Sequence, residues 1–283
     1  MPPMARVADP ARPHAPLPKR DEVPENIDFP GQPCYLAPAM TYCLGIKLDA
    51  GLVFASDSRI TAGIDYISTY RKLHVFQPST DRIFVLLTSG NLGTTQELLD
   101  YLRRDLDAAP DRLSLRSVGY LFEAARYVGQ TLFGIEQSHD AAFRSGGVSG
   151  GATLILGGQI AGRAPELFLI HPEGNYVAAT PETPFLQLGE FKYGKPILSR
   201  IASTTLSLDQ AARLALISFD AALKSNLSVG PPIDLAILPC DKLQFSQQLV
   251  LDEDSELFRQ TSSGWDDAMH RAFRQLPRFP WEA

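Results

Sequence analysis

The sequence predicts an α+β protein in which two β-sheets lie face to face with helices outside. Three observations carry this. Short apolar runs of strand length are joined by turns rich in Gly, Pro, Ser and Asp. Longer stretches place apolar residues at helical spacing. The two kinds come in runs rather than in the strict alternation of a doubly wound sheet. No internal repeat at solenoid period is present.

The chain changes character at Thr41. Residues 1–40 carry ten prolines. At this density prolines fix φ and remove backbone donors, which opposes both helix and central strand. The segment is expected to be a disordered extension, either a propeptide or a start-site artefact. Residues 41–283 are expected to form one domain.

From Thr41 the elements follow in order. Tyr42–Leu48 and Leu52–Ser56 flank Asp49-Ala50-Gly51, a hairpin signal. Lys72–Phe76 and Ile83–Thr88 form a second pair around Pro78-Ser79-Thr80-Asp81. A helix is expected from about Thr94 to Leu106. A second places Val118, Leu121, Phe122, Ala125, Val128 and Leu132 on one buried face. Gly146–Gly151 reads as a turn, followed by strands at Ala152–Leu156, Leu167–Ile170 and Phe185–Leu188. A third helix opens at Ser207, with Gln210 at the reciprocal capping position. Ile233–Leu238 and Gln247–Leu251 are the last strands, and a final helix is expected around Trp265–Leu276.

Composition narrows the function. At 283 residues, 45% hydrophobic and 20% charged, the chain can bury a large core. A net charge of -6 leaves no electrostatic footprint for nucleic acid. No apolar run reaches the roughly 18 residues of a membrane span, and the N-terminus lacks a signal-peptide core. Cys34, Cys43 and Cys240 are an odd count without metal-ligand spacing and read as reduced thiols. The expected location is cytoplasmic. The five histidines show no metal spacing. Gly146–Gly151 lacks the Lys-Ser/Thr ending of a phosphate loop. No cofactor is called for, and no nucleophile-elbow motif supports a serine triad. Strand alternation puts Cys43 on the face of Thr41, as a core residue.

A threonine at a free N-terminus combines a nucleophile with a base, its own α-amine, whose reference pKa of about 7.7–8.0 suits neutral pH. The residues around Thr41 fit that use as a set. Gly45, Ala55-Ser56-Asp57-Ser58-Arg59, Thr61, Gly63, Arg71-Lys72-Leu73 and Ser89-Gly90 resemble the proteasome β-type subunit family. Asp57 stands sixteen positions after Thr41, as the family's acidic residue does. Lys72 matches the family's lysine if the turn near Tyr70 differs slightly in length. Met40-Thr41-Tyr42-Cys43, the stretch Gly189–Leu198 and Asn226–Pro232 resemble most the bacterial proteasome-like branch called Anbu.

The resemblance implies a four-layer αββα sandwich of the N-terminal-nucleophile hydrolase type. It implies catalytic roles for Thr41, Asp57 and Lys72. Thr41 Oγ attacks a carbonyl, Lys72 lowers the proton affinity of Oγ and the amine, and Asp57 holds Lys72 charged. Gly90 takes the place of a backbone oxyanion donor. Ile60 and Thr88 line the substrate pocket. Two positions depart from the family: Glu190 replaces a helper serine after Gly189, and Asn226 replaces an aspartate, with Val229 at the serine position after it. Glu190, Asn226 and Ser228 are therefore the accessory candidates.

The resemblance further implies a homo-oligomer, a ring or a helical assembly, acting on peptides or proteins. Any ATP-dependent unfoldase would be a separate partner. A subunit that keeps the fold without hydrolysis, and an amidase acting on small molecules, are the alternative functions. Thr41 becomes N-terminal either when methionine aminopeptidase removes a starting Met40 or when the chain cleaves itself. The bulk of Met40 fits the first route.

Overall fold

The computed structural model describes residues 41–62, 66–107 and 112–282. The expected disordered extension lies outside the described residues. The strands are β1 (Tyr42–Leu48), β2 (Gly51–Asp57), β3 (Arg59–Ala62), β4 (Tyr66–Thr69), β5 (Leu73–Ser79) and β6 (Arg82–Gly90), then β7 (Ala152–Ile160), β8 (Glu166–Ile170), β9 (Tyr176–Ala178), β10 (Phe185–Gly189), β11 (Ile233–Pro239) and β12 (Gln247–Leu251). The helices are α1 (Leu92–Leu106), α2 (Leu121–Gly146), α3 (Phe191–Ile201), α4 (Leu208–Ser225) and α5 (Glu256–Arg274).

Two five-stranded antiparallel sheets form, in the orders β10-β1-β2-β11-β12 and β5-β6-β7-β8-β9, and β3-β4 is a separate hairpin. The period-2 alternation of the strands sorts their side chains into three cores. In β1, Tyr42, Leu44 and Ile46 point to α3 and α4, where they meet Phe219 and Leu214. In β6, Phe84 and Leu86 point to α1 and α2, where they meet Leu98 and Val128. The opposite faces, including Cys43, Phe54, Val85, Leu87 and Ile155, pack between the sheets. This is the expected four-layer αββα sandwich. The same alternation carries Thr41 to the inter-sheet face with Cys43.

The cap of α4 follows the sequence: Ser207 Oγ accepts from the Gln210 N–H, and the Gln210 side chain accepts from the Ser207 N–H. Elsewhere the boundaries move. Helix α1 starts two residues earlier than expected, because Asn91 Oδ1 caps it by accepting from the Thr94 N–H. Phe122 lies on the outer face of α2 and is exposed, while Leu121, Ala125, Val128 and Leu132 are buried as expected. Helix α2 runs on past that stripe to Gly146 and ends in a left-handed cap at Gly147. Helix α3 is an addition to the sequence reading and contains Gly194 and Pro196, residues of low helix propensity. Helix α5 begins well before Trp265, capped by Ser255, and none of its residues is fully buried, although Phe258 packs against the core beside α4. No described helix is long and apolar enough to cross a membrane.

His74 is expected to make stability pH-dependent. His74, on β5, is mostly buried and its Nε2 has no partner. Burial, followed by the positive charges of Arg103 and Arg71, lowers its pKa from the ordinary 6.5 to about 4. Above the unfolded value both states are neutral there. As pH falls from about 6.5 to 4 the unfolded chain takes up a proton that the folded chain refuses, so stability falls. The expected loss across that window is about 2–3 kcal/mol. His74→Phe should flatten this part of the stability–pH curve measured by urea unfolding. An unchanged slope would show that His74 contributes nothing.

Candidate active site

Strand β2 ends where β1 begins. In their register Cys43 lies opposite Ser56, which brings Asp57 beside Tyr42. The Tyr42 N–H donates to Asp57 Oδ1 at 3.0 Å. Lys72 comes from the other sheet, one residue before β5, and its carbonyl accepts from the Thr88 N–H at 3.0 Å. Its ammonium crosses to Asp57 Oδ1 at 2.6 Å and to the Arg59 carbonyl at 2.7 Å. The pair is buried on both sides. It thus bridges the two sheets at the end of β1 that carries Thr41.

Burial raises the Asp57 carboxyl above its ordinary value, and the Lys72 charge, the Lys72 hydrogen bond and the Tyr42 N–H pull it back. A buried pair of this kind depends on geometry: each ion is costly without the other. Cys43 lies beside it, fully buried, with its thiol against the Thr88 carbonyl at 3.8 Å. Burial pushes that thiol far up, so it stays protonated. It is core, as expected.

Thr41 is itself buried, 4% exposed. Its carbonyl accepts from the Glu190 N–H at 2.7 Å. Gly189, opposite Tyr42, takes φ 75° and lets β10 close on Thr41. Gly90 ends β6 at φ 112°, where a Cβ would strike the Gly151 carbonyl and Ala152 Cα. Thr88 is buried two residues before it. Ile60 falls on β3 opposite Ser68, and its side chain lies outside the described residues.

Glu190, at the start of α3, and Asn226, at the end of α4, meet beside the backbone of Thr41. Asn226 Nδ2 donates to Glu190 Oε2 at 2.9 Å, and Asn226 Oδ1 accepts from the Ser228 N–H at 2.9 Å. Glu190 is 3% exposed and its Oε1 has no partner. Ser228 thus joins the cluster through its backbone.

A model of the proteasome subunit family matches residues 40–238. The chain belongs to the proteasome family. Within it, the chain belongs to the Anbu branch. It is 43% identical to Anbu, the ancestral beta-subunit, from Yersinia bercovieri, over 84% of this chain and 99% of that one, with a TM-score of 0.78. The helical assembly of the Anbu complex from Pseudomonas aeruginosa is 42% identical over 85% and 99%, with a TM-score of 0.79. Anbu from Hyphomicrobium sp. strain MC1 is 41% identical over 84% and 99%, with a TM-score of 0.76. Among curated proteins, none matches.

In this proteasome-family chain Asp57 and Lys72 meet as a pair, Thr41 and Glu190 meet through the backbone, and Asn226 anchors Glu190. Two residues beyond the predicted site residues, Arg59 and Tyr42, hold them. Arg59 gives its carbonyl to Lys72, and its guanidinium donates to the Leu227 carbonyl at 2.9 Å, tying β3 to the Asn226 loop. The Tyr42 hydroxyl lies 2.6 Å from Ser218 Oγ and accepts from Gln187 Nε2 at 2.6 Å, fixing β1 to α4 and β10. Burial pushes that phenol up to about 12. Arg59 stands two residues after Asp57, and Tyr42 beside Thr41, but only the tertiary contacts give them these functions.

Proposed function

We propose that this chain is a threonine peptidase whose nucleophile is Thr41, acting as the N-terminal residue of a single domain, 41–283, within a homo-oligomer. The observation that carries the reading is the buried Lys72–Asp57 pair crossing the two sheets at the start of β1. A buried ammonium there needs a reason, and lowering the proton affinity of Thr41 Oγ supplies one.

The steps balance as follows. The α-amine takes the Oγ proton while Oγ bonds to the substrate carbonyl carbon. The Gly90 N–H receives the developing oxyanion. On collapse the C–N bond breaks and the ammonium returns its proton to the leaving amine. Water, deprotonated by the same amine, then cleaves the ester and restores Thr41. Thr88 and Ile60 border the substrate residue before the cut. Asp57 keeps Lys72 charged and in place through its charge-assisted hydrogen bond.

The amine exists only when the preceding residues are gone. The match to the family model begins at residue 40, which fits a working chain whose first residue is Thr41. The Pseudomonas relative, described as a helical assembly, supports self-association here.

The test joins two measurements. Intact mass should show Thr41 at the N-terminus. A small β-lactone should then add its full mass to Thr41 through an ester, and Thr41→Ala should add none. A correctly processed, assembled sample that forms no adduct would instead favour a fold-keeping subunit without hydrolysis, a reading that Glu190 and Asn226 at the family's serine and aspartate positions motivate. A peptide and small-amide screen, with Thr41→Ala as control, separates peptidase from amidase.

A further inference from the structure

Thr41 is held at its carbonyl by Glu190, a residue whose side chain carries an unused acceptor. Tyr42 opposes Gly189 in the β1–β10 register, so Thr41 opposes Glu190. In an antiparallel ladder, the two residues of a hydrogen-bonded pair point N–H and C=O at each other. Half of that exchange is made here, from the Glu190 N–H to the Thr41 carbonyl at 2.7 Å. The Tyr42 N–H points the opposite way, to Asp57 on β2. The Thr41 nitrogen therefore projects to the Glu190 side. Glu190 caps α3 directly after Gly189, so its carboxylate belongs to the buried cluster with Asn226 while its backbone touches Thr41.

That side chain is buried and only half satisfied. Oε2 takes its hydrogen bond from Asn226, and Oε1 takes none. A buried carboxylate oxygen without a donor is costly and rare in native proteins. An α-ammonium at Thr41 brings three donors to this place. The geometry points to Glu190 as a two-point clamp on the processed N-terminus, its N–H on the Thr41 carbonyl and its Oε1 on the Thr41 α-ammonium. The clamp rests on the reading that Thr41 becomes N-terminal.

The surrounding charges leave Glu190 as the deciding one. On β2 and before β5, Asp57 and Lys72 neutralise each other. On β11, Asp234 is paired with Arg71. On β3, Arg59 is engaged by the Leu227 carbonyl and Glu253. On β1, the Cys43 thiol stays neutral. Among these described groups Glu190 is the acid without a cationic partner, and its backbone already holds Thr41. It favours the ammonium and so raises the pH at which the amine becomes a free base.

The test reads the amine directly, without needing turnover. A chain begun at Met40 holds the whole span that the family model matches. With Met40 removed and Thr41 verified by mass, the rate of α-amine acetylation by acetic anhydride is followed against pH by peptide mass spectrometry. Glu190→Gln keeps the size and the contact with Asn226 but removes the charge. It should lower the amine's midpoint by about one pH unit, and Glu190→Asp should restore part of the shift. An unchanged midpoint, or one that rises, in Glu190→Gln overturns the clamp. If Glu190→Gln does not assemble, Glu190→Asp decides alone, since a shorter carboxylate should still lower the midpoint and an unchanged one would overturn the proposal. A charge-dependent midpoint in a protein that forms no lactone adduct would uphold the clamp and sink the peptidase reading.

Discussion

Lys72→Met is expected to abolish the β-lactone adduct on Thr41 and to destabilise the fold by about 3–5 kcal/mol. The variant leaves the Asp57 carboxylate, fully buried, with the Tyr42 N–H as its remaining donor on Oδ1. An uncompensated buried charge is costly because nothing replaces the lost ammonium. A second variant separates structure from chemistry. Lys72→Met with Asp57→Asn removes both charges, and the new amide oxygen can still accept from the Tyr42 N–H. Stability should recover to within about 1–2 kcal/mol of the parent, because replacing both partners of a buried pair is close to neutral. The adduct should not return. Urea unfolding at fixed protomer concentration measures the first quantity, since oligomerisation makes apparent stability concentration-dependent. If the double variant regained the adduct, Lys72 would be a structural ion with no share in activating Thr41. If Lys72→Met unfolded no more easily than the parent, the pair would not be the buried bridge described above.

How far the sequence reveals this arrangement depends on the range of the interaction that makes each part. Strands with one apolar face are legible because alternation is local, and so β1, β2, β6 and β11 stand where the residues place them. The capping of α4 is legible for the same reason, since Ser207 and Gln210 are three residues apart. Helix α3 is hidden because its stability is tertiary. Gly194, of low intrinsic helix propensity, is where the Tyr42 hydroxyl and Ser218 come too close to admit a side chain. Phe122 fits a buried stripe by spacing, yet α2 turns it outward, since Leu121 and Ala125 already fill the contact with the sheet. The site divides in the same way. Asp57 and Lys72 come from the resemblance, and nothing in their fifteen-residue separation says that one ion must cross between two sheets to reach the other. The Glu190–Asn226 contact joins the ends of two different helices. Arg59 is visible as a residue of the motif, but its hold on the Leu227 carbonyl depends on a loop 168 positions away.

Gly189→Ala is expected to lower the rate of lactone adduct formation by at least about 100-fold, because displacing reacting groups by about 1 Å can cost that much. Two effects act together. Gly189 holds φ at 75°, a conformation that strains an alanine by about 1–3 kcal/mol. Its Cβ would also run into the Thr41 carbonyl oxygen and carbon, both backbone atoms that no rotamer change can move. Relief requires β10 to retreat from the start of β1. That breaks the bond from the Glu190 N–H to Thr41 and moves the nucleophile away from Lys72. The damage should stay local, since the cores around Phe54, Phe84 and Phe219 lie elsewhere along the sheets. Stability should therefore fall by no more than the local strain, while the adduct rate collapses. Measured side by side, the two numbers distinguish a positioning role from a folding role. An alanine variant that reacts at the parental rate would mean that the close approach of Gly189 does not set the place of Thr41. Loss of stability in proportion to loss of reaction would mean that the glycine serves the sheet as a whole.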